Sequence, residues 1–413
     1  MKTGALLGGR RFYVQGYWIM SDNQEDSSVS NRDWLVLANA RMSGQQIAEL
    51  IKHFGSTAAV SGAGTGALRM AGVSDKAAKR ITQPDMASIN EALQWLDEPQ
   101  HHIVHYASPE YPELLRQISG APTLLYVNGN LDSLHLPALA IVGSRNPTRG
   151  GIQNAHDFAA HLGNAGFSIL SGLAQGIDTA AHEGALAAGA TTIAFLGHGI
   201  DRVYPAENRK LAHRITEQGA LISEYPLGAS PRKEHFPERN RLISGCSLGT
   251  LVVEAARRSG SLITARLASE QGREIFAIPG SIHNTLSRGC HQLIRQGAKL
   301  VESVDDIVSE LGPMVEFLSE QLMQNNNDAD ARPDFSDDRD DDYKLLIEVL
   351  GHDPATTDEI ATKSGLTIDQ VSSMLLILEL DGKIEALHGG QYSLLGSKSW
   401  HERKRTRRTD VPV

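Results

Sequence analysis

Residues 139–146, Leu-Ala-Ile-Val-Gly-Ser-Arg-Asn, predict a buried strand that runs into a glycine turn at the start of a helix. Gly143 permits the tight turn, Ser144 offers a hydroxyl group, and Arg145 adds a planar cation. Free N–H groups and the positive end of the helix dipole point the same way at such a turn, which favours anions. We interpret the turn as a phosphate-binding site. An ordinary strand-to-helix turn with a solvent-facing arginine is the alternative.

Short apolar runs alternate with helical stretches on both sides of this turn, up to about residue 311. The runs predicted to be strands are Ala138–Val142, Phe167–Leu170, Thr191–Leu196, Ala220–Ile222, Thr250–Val253 and Glu274–Ile278. Buried runs separated by helices, such as those over residues 152–165 and 178–188, are typical of a parallel sheet covered on both faces. We therefore predict the α/β fold class, with a Rossmann-like parallel sheet core over residues 106–312.

A second glycine-rich turn, with Ser171, Gly172 and Gly176, follows the second of these runs. Because the carboxyl ends of neighbouring parallel strands meet at one edge of the sheet, the two turns would lie at one crevice. We predict that Asp178 is the N-cap of the next helix and that His182 packs beside it. A catalytic or binding role for this pair is the alternative.

The composition limits the class of protein. A length of 413 residues suggests about three domains, and a net charge of −10 means that any nucleic-acid site must be a local positive patch. Cys246 and Cys290 cannot form a disulfide framework and lack the spacing of a zinc site, which favours a reducing, cytoplasmic compartment. No apolar run approaches the roughly 20 residues that cross a bilayer, so we predict no membrane span.

Residues 231–244 form a local positive patch. Four basic residues outnumber two acidic ones in this segment. The basic residues are Arg232, Lys233, Arg239 and Arg241, and the acidic ones are Glu234 and Glu238. Arginine makes paired hydrogen bonds to phosphates, and the rings of His235 and Phe236 offer stacking faces for single strands. The patch therefore predicts contacts with single-stranded nucleic acid. A solvated loop with one or two salt bridges is the alternative.

The regions outside the predicted sheet divide into five segments. They are a disordered N-terminal extension (1–32), a helical SAM-like domain (33–105), an acidic linker (313–341), a winged-helix domain (342–396) and a basic tail (397–413). A plain packing module without a ligand is favoured for the helical domain, and the tail could either hold phosphates loosely or aid solubility. The helix expected to read DNA, Ile368–Leu380, has no Arg or Lys, which favours partner contact or packing over DNA reading.

The sequence lacks the motifs of nucleotide-dependent enzymes. It has no G-x-G-x-x-G with an acidic residue about 20 positions on, no Gly-Lys-Ser/Thr phosphate loop and no G-x-S-x-G nucleophile elbow. Glu254 ends an apolar run, and we interpret it as a structural carboxylate for Arg239 or Arg241, with acid–base chemistry as the alternative. We predict no cofactor, no metal site and no catalytic residue.

Four motifs together resemble the DNA-processing protein A family (DprA, also called Smf). They are Val-Gly-Ser-Arg at 142–145, the glycine-rich segment 171–182 ending in Asp-Thr-Ala-Ala-His, Phe-Pro-Glu-Arg-Asn-Arg-Leu-Ile-Ser at 236–244 and Ala-Ile-Pro-Gly-Ser at 277–281. The resemblance covers roughly Tyr111 to Leu311. It implies a bacterial cytoplasmic protein, not an enzyme, that binds and protects incoming single-stranded DNA during natural transformation, loads the RecA recombinase and acts as a homodimer.

The resemblance also implies which residues bind DNA. From the family's motifs these are Gly143, Ser144, Arg145, Arg239, Asn240 and Arg241, to which we add Lys233 and the second turn with Ser171, Gly172 and Gly176. His291 departs from the family, because many relatives have Asn there, and it is given no role. The motifs assign no dimer or RecA contacts.

Two other functions stay open. Phosphoribohydrolases of the lysine-decarboxylase-like family combine a Rossmann-like fold with G-x-G-T-x-x-E, which residues 248–254 resemble loosely. Two departures count against this interpretation: no Pro-Gly-Gly precedes Gly249, and Glu254 falls one residue late. A transcription regulator that acts through residues 341–396 is the third possibility.

Overall fold

The computed structural model describes residues 10–14, 17–21 and 27–312, and further along the chain residues 346, 349–350, 355–368, 371, 374–375, 378, 384–387 and 391–394. The chain divides into two compact units, Met1–Asn325 and Asn326–Val413. The predicted acidic linker (313–341) and basic tail (397–413) lie outside the described residues. No helix in the part that the structure describes is long and apolar enough to cross a membrane.

The N-terminal part of the first unit is mainly helical. A strand pair, β1 (Arg10–Val14) and β2 (Tyr17–Ser21), precedes α1 (Ser27–Asn39), α2 (Gly44–Phe54), α3 (Thr57–Ser61), α4 (Thr65–Met70), α5 (Asp75–Thr82) and α6 (Met86–Trp95). Side chains of Ser43, Ser74 and Asp85 cap α2, α5 and α6, as expected for these residue types. The strand pair and the start of α1 fall within residues 1–32, and the disordered extension expected for this range stays a prediction.

A nine-stranded sheet forms the centre of the first unit. Its strands are β3 (His101–His105), β4 (Leu124–Gly129), β5 (Ala138–Val142), β6 (Ser168–Ser171), β7 (Thr192–Leu196), β8 (Ala220–Ser223), β9 (Gly249–Val252), β10 (Glu274–Ala277) and β11 (Lys299–Leu300). The order is β11-β10-β9-β5-β6-β7-β8-β4-β3, parallel from β11 to β8 and antiparallel at β4 and β3. The parallel sheet and all six predicted strands are confirmed. β3 extends the sheet into residues predicted to belong to the helical domain.

Helices cover both faces of this sheet. They are α7 (Glu113–Arg116), α8 (Arg149–Asn164), α9 (Ile177–Ala187), α10 (Arg209–Gln218), α11 (His235–Gly245), α12 (Ser261–Glu270) and α13 (Arg288–Arg295). Leu139 and Ile141 of β5 pack in the core with α8 and α9, whereas Ala140 and Val142 pack with α11, α12 and α13. Successive side chains of a strand point to opposite faces, which explains why this strand is apolar throughout.

The second unit contains the elements of a winged helix. Helix α14 (Thr357–Ser364) begins at a capping box formed by Thr356 and Glu359 and ends at Gly365, where φ is +73°. The three-stranded sheet has the order β12-β14-β13, with β12 (Ala355–Thr356), β13 (Ile384–Leu387) and β14 (Gln391–Leu394). Val371, Leu375 and Leu378 are buried in its core, so this face of the predicted DNA-reading helix packs inside the unit.

Candidate nucleic-acid interface

Two turns and one aromatic side chain lie together at the carboxyl ends of β5, β6 and β7; we call them the rim. The rim consists of residues 143–146, residues 172–176 and the ring of Phe236 in the first turn of α11. The Ile177 N–H donates to the Ser144 carbonyl at 3.1 Å and joins the two turns. Gly176 has φ +84°, and a Cβ there would lie 2.4 Å from the same carbonyl oxygen, so only glycine fits this contact.

The first turn differs from the predicted anion site in one respect. Helix α8 begins at Arg149, and its N-cap is Thr148, whose hydroxyl accepts from the Gly151 N–H at 3.0 Å. Glu254 is buried and accepts from the Thr148 N–H at 2.9 Å and from its hydroxyl at 2.7 Å. The protein's own carboxylate therefore occupies the positive end of α8. Glu254 is a structural carboxylate, as predicted, but its partners are Thr148 and Asn284 rather than an arginine.

Ser144 and Gly143 shape this turn, and their predicted contacts with DNA stay a prediction. The Ser144 hydroxyl accepts from the Asn146 N–H at 3.1 Å. A Cβ on Gly143 would lie 2.6 Å from the Ile177 side chain, which means that this glycine is needed for a close approach. The predicted tight turn is therefore present, and its role is to present Arg145.

The second turn is held from within by Asp178. This buried carboxylate accepts from the Gly172 N–H at 3.1 Å and from the Ala174 N–H at 3.3 Å. The predicted N-cap role was wrong, because Gly176 is the N-cap and Asp178 lies in the first turn of α9. Burial raises the pKa of Asp178, and the neighbouring Arg239 cation opposes this rise. The Ser171 hydroxyl is buried as well and donates to the Ile141 carbonyl at 2.7 Å.

His182 is a packed core histidine, as predicted. Its Nδ1 lies 2.7 Å from the Thr192 hydroxyl, which itself donates to the Ile169 carbonyl, so Nδ1 carries the hydrogen. Burial lowers the pKa of His182 to about 3. The ring is therefore neutral near pH 7.

Arg239 lies buried beneath the rim, and its side chain is not exposed to a DNA strand. It is only 3% exposed, and Nη1 donates to the Gly172 carbonyl at 2.7 Å and to the Phe195 carbonyl. Its Nε donates to the Asn240 side chain at 3.2 Å. The burial of Arg239 counts against the expectation that it lines a DNA pocket. Asn240 is half-buried, and its predicted contact with DNA stays a prediction. Burial lowers the pKa of Arg239 to about 10, and the nearby Asp178 carboxylate opposes this change.

Arg241 lies in a different place from Arg145. It forms an ion pair with Glu224 and lines a cleft of about 980 Å³ that is bounded by residues following β8, residues preceding β4, and α1 and α6. Positive and negative side chains balance in the walls of this cleft, which include Arg41, Arg232 and Arg241 and also Glu224, Glu234 and Glu238. The charge of Arg241 is therefore matched by Glu224 within the cleft, and its predicted contact with DNA stays a prediction.

Arg145 is the cation that the rim presents outward. It is exposed, its guanidinium carbon lies 5.6 Å from the centroid of the Phe236 ring, and it forms no ion pair with any other residue of 27–312. Its charge acts on the pKa of Arg239, which shows that the two arginines are neighbours. Lys233 is exposed two residues before α11 begins. Arg145 and Lys233 are thus predicted site residues whose cationic side chains are exposed.

Sequence reasoning missed Tyr204. This side chain is 49% exposed, and its ring centroid lies 5.8 Å from that of Phe236. The signal available was its position in the loop after β7, at the same edge of the sheet. His235, predicted to offer a stacking face, instead stacks on Tyr225 with ring centroids 4.2 Å apart.

The described residues contain no group of three or more His, Cys, Asp or Glu side chains that could hold a metal ion. The rim and the neighbouring Tyr204 instead combine an exposed guanidinium, aromatic rings and backbone turns. These are groups that bind phosphates and unpaired bases.

Comparison with known proteins identifies the family of this chain. A family model described as DNA recombination-mediator protein A matches residues 102–312, and a DprA winged helix domain model matches residues 330–390. Protein Smf of Escherichia coli K12 is 40% identical over 331 residues, 79% of this chain and 86% of that protein. DNA processing protein DprA of Streptococcus pneumoniae R6 is 40% identical over 291 residues, 68% of this chain and 98% of that protein.

A solved structure points to the same family. The X-ray structure of DNA processing protein A from Streptococcus pneumoniae superimposes with a TM-score of 0.61 at 38% identity, covering 68% of this chain and 97% of that one. The matching models, the relatives and this structure all concern the same family. The chain belongs to the DNA recombination-mediator protein A family, also called DprA or Smf.

Proposed function

We propose that this protein binds single-stranded DNA along the rim. The observation that carries the proposal is the exposed guanidinium of Arg145, which has no ion-pair partner among residues 27–312 and lies over the Phe236 ring, beside the exposed Tyr204 ring. A guanidinium contacts a phosphodiester with two parallel hydrogen bonds, and an exposed ring accepts a base that is not paired. Membership of a DNA recombination-mediator family supports the same ligand.

The test is a titration of labelled oligothymidylate with the wild type and with the Arg145→Ala/Lys233→Ala variant. We expect affinity to fall about tenfold or more, and the slope of log affinity against log salt to fall by about 1 for each phosphate that the variant no longer binds. Arg266→Ala is the matched control, since this exposed arginine lies on α12, outside the rim. Wild-type affinity and slope in the double variant would remove the assignment of the rim.

We infer from the family that the bound strand is incoming DNA in natural transformation, and that the protein protects it in the cytoplasm and loads RecA onto it as a homodimer. The test measures RecA filament assembly on DNA covered by single-strand-binding protein, with light scattering for the oligomeric state. Arg145→Ala should slow filament assembly in proportion to its loss of DNA affinity. Full stimulation by a variant that no longer binds DNA would contradict the loading role.

The contacts of Glu254 count against the phosphoribohydrolase alternative. In that reaction a carboxylate would have to face an open pocket, whereas Glu254 is 7% exposed and bound to Thr148 and Asn284. Incubation with a nucleoside monophosphate tests the alternative by chromatography of the released base. Turnover that disappears in Glu254→Gln would favour the enzyme over the proposed binding protein.

A further inference from the structure

We propose that the free edge of β3 is a docking site for an extended, basic segment of another protein, which adds a tenth strand to the sheet. Strand β3 (His101–His105) lies at the end of the sheet opposite to β11. In the part of the chain that the structure describes, β4 is its one strand partner. The other edge of β3 is therefore open to a further strand.

The register of β3 on β4 shows which backbone groups point outward. The Tyr106 N–H donates to the Thr123 carbonyl at 3.0 Å, and the Gly129 N–H donates to the Gln100 carbonyl at 2.9 Å. In an antiparallel pair the bonded residues alternate, so the even-numbered residues of β3 are bonded to β4. The odd-numbered residues consequently direct their N–H and C=O groups to the open edge.

Two of these six outward groups are already used within the chain. The His101 N–H donates to the Glu98 carbonyl at 3.2 Å, and the Ser108 N–H donates to the His105 carbonyl at 2.8 Å. The other four have no partner among residues 27–312: the His101 carbonyl, both groups of Ile103 and the His105 N–H. A five-residue antiparallel strand bonds all four, two through the residue opposite Ile103 and one through each residue two positions away.

The two edges of this sheet are protected differently. At the far edge, β11 has only two residues, one of them Lys299, and short strands and lysine are devices that prevent strand addition. Strand β3, His-His-Ile-Val-His, has five residues and contains neither lysine nor proline. The fold therefore blocks pairing at one edge and leaves the other available.

A groove runs along the open edge of β3 and gives a strand room to enter. Its volume is about 750 Å³, all five residues of β3 line it, and Leu93 of α6 contributes to the opposite wall. The rings of His101 and His105 are held by stacking on Trp95 and Trp34, with centroids 4.1 and 4.3 Å apart. The edge is thus fixed before a partner binds, which reduces the entropy lost on binding.

The charge of the groove determines what kind of segment it accepts. Asp97 and Glu110 lie in its walls, and the described residues that line it include no Lys or Arg. Burial alone would raise the pKa of Glu110, but the hydrogen bond from the Ser108 hydroxyl holds this pKa below its ordinary value. Burial also lowers the pKa of His105 to about 4, so this ring adds no positive charge near pH 7. The groove is therefore negative and matches a basic strand.

A second copy of this chain is a poorer occupant than a basic segment. Pairing of β3 with the β3 of another copy would bring the same two carboxylates, Asp97 and Glu110, to both sides of one groove. Like charges in that position repel, and β3 has no lysine or arginine to offset them. The charges consequently favour a different protein that carries lysine or arginine on an extended segment.

The first experiment measures binding of two labelled seven-residue peptides to the full chain, one alternating lysine with valine and the other alternating glutamate with valine. We expect the lysine peptide to bind about tenfold more tightly than the glutamate peptide. Asp97→Lys should weaken binding of the lysine peptide about tenfold and strengthen binding of the glutamate peptide. Glu91→Lys is the matched control, because Glu91 is exposed on α6 and does not line the groove.

The second experiment tests strand addition itself by amide hydrogen exchange. The lysine peptide should slow exchange of the Ile103 and His105 amides and leave that of Val104, which is already bonded to β4, unchanged. A lysine peptide methylated on alternate backbone nitrogens, so that it cannot donate to the His101 and Ile103 carbonyls, should not bind.

Three outcomes would overturn the inference. They are no binding of the lysine peptide, binding that leaves the Ile103 and His105 amides unprotected, and equal effects of Asp97→Lys and Glu91→Lys. Slow exchange of the Ile103 and His105 amides in the free protein that becomes faster on dilution would show that a second copy occupies the edge, which contradicts the proposed partner.

Discussion

Arg239 shows how a single buried cation can support a site without touching its ligand. It donates hydrogen bonds to the carbonyls of Gly172 and Phe195, and its charge opposes the rise in pKa that burial causes at Asp178. We predict that Arg239→Ala lowers the free energy of unfolding by about 3–5 kcal/mol, because it leaves a buried carboxylate without its cation. Urea unfolding at pH 7 measures this change. Arg145→Ala is the control and should leave the unfolding midpoint unchanged, because the Arg145 side chain is exposed. An Arg239→Ala variant as stable as the wild type would refute the supporting role.

The sequence could identify the candidate arginines of the site but could not show which of them are buried, ion-paired or exposed. Arg239 and Arg241 lie two positions apart on α11, so the helix directs one guanidinium to the strand ends and the other to Glu224. Which face of α11 is buried depends on its packing against the sheet, which no local pattern records. The sequence places Tyr204 in a loop at the same edge of the sheet, but only the fold shows that its ring lies beside Phe236.

At the scale of elements, the start of α8 determines where Arg145 stands. Glu254 anchors Thr148, three residues after Arg145, through two hydrogen bonds. If Glu254 were only a negative charge near a phosphate, its removal would strengthen DNA binding. We predict the opposite for Glu254→Ala, namely weaker binding of oligothymidylate and a loss of stability of about 1–3 kcal/mol, because the part-buried Thr148 N–H loses its acceptor. Fluorescence anisotropy measures the expected loss of DNA affinity, and urea unfolding of the same preparation measures the expected loss of stability. Tighter DNA binding by the variant would exclude the anchoring role.

The strands that are covered on both faces of the sheet were largely predictable from the sequence. Strands β5 to β10 are covered on both faces, so each is a short apolar run that the sequence marks clearly. The edge strand β3, His-His-Ile-Val-His, has one fully buried residue and lacks that signal. The two-residue strand β11 is too short to give any periodicity. Local pattern thus predicts the interior of the sheet better than its edges.

At the scale of the whole molecule, a local cationic rim stands on a chain with a net charge of −10. At about 0.1 M salt the Debye length is about 10 Å, so a bound strand senses mainly the rim. At about 0.01 M it is about 30 Å, and the acidic remainder of the molecule then repels the strand.

We predict that log affinity for a long oligothymidylate rises as salt is lowered towards about 50 mM and then levels off, instead of continuing along the line expected for counterion release alone. Titrations from about 10 to about 300 mM salt test this, with a short oligomer that does not extend past the rim as the control. A straight line down to the lowest salt would mean that the charge surrounding the rim is positive and that the binding surface extends beyond Arg145 and Lys233.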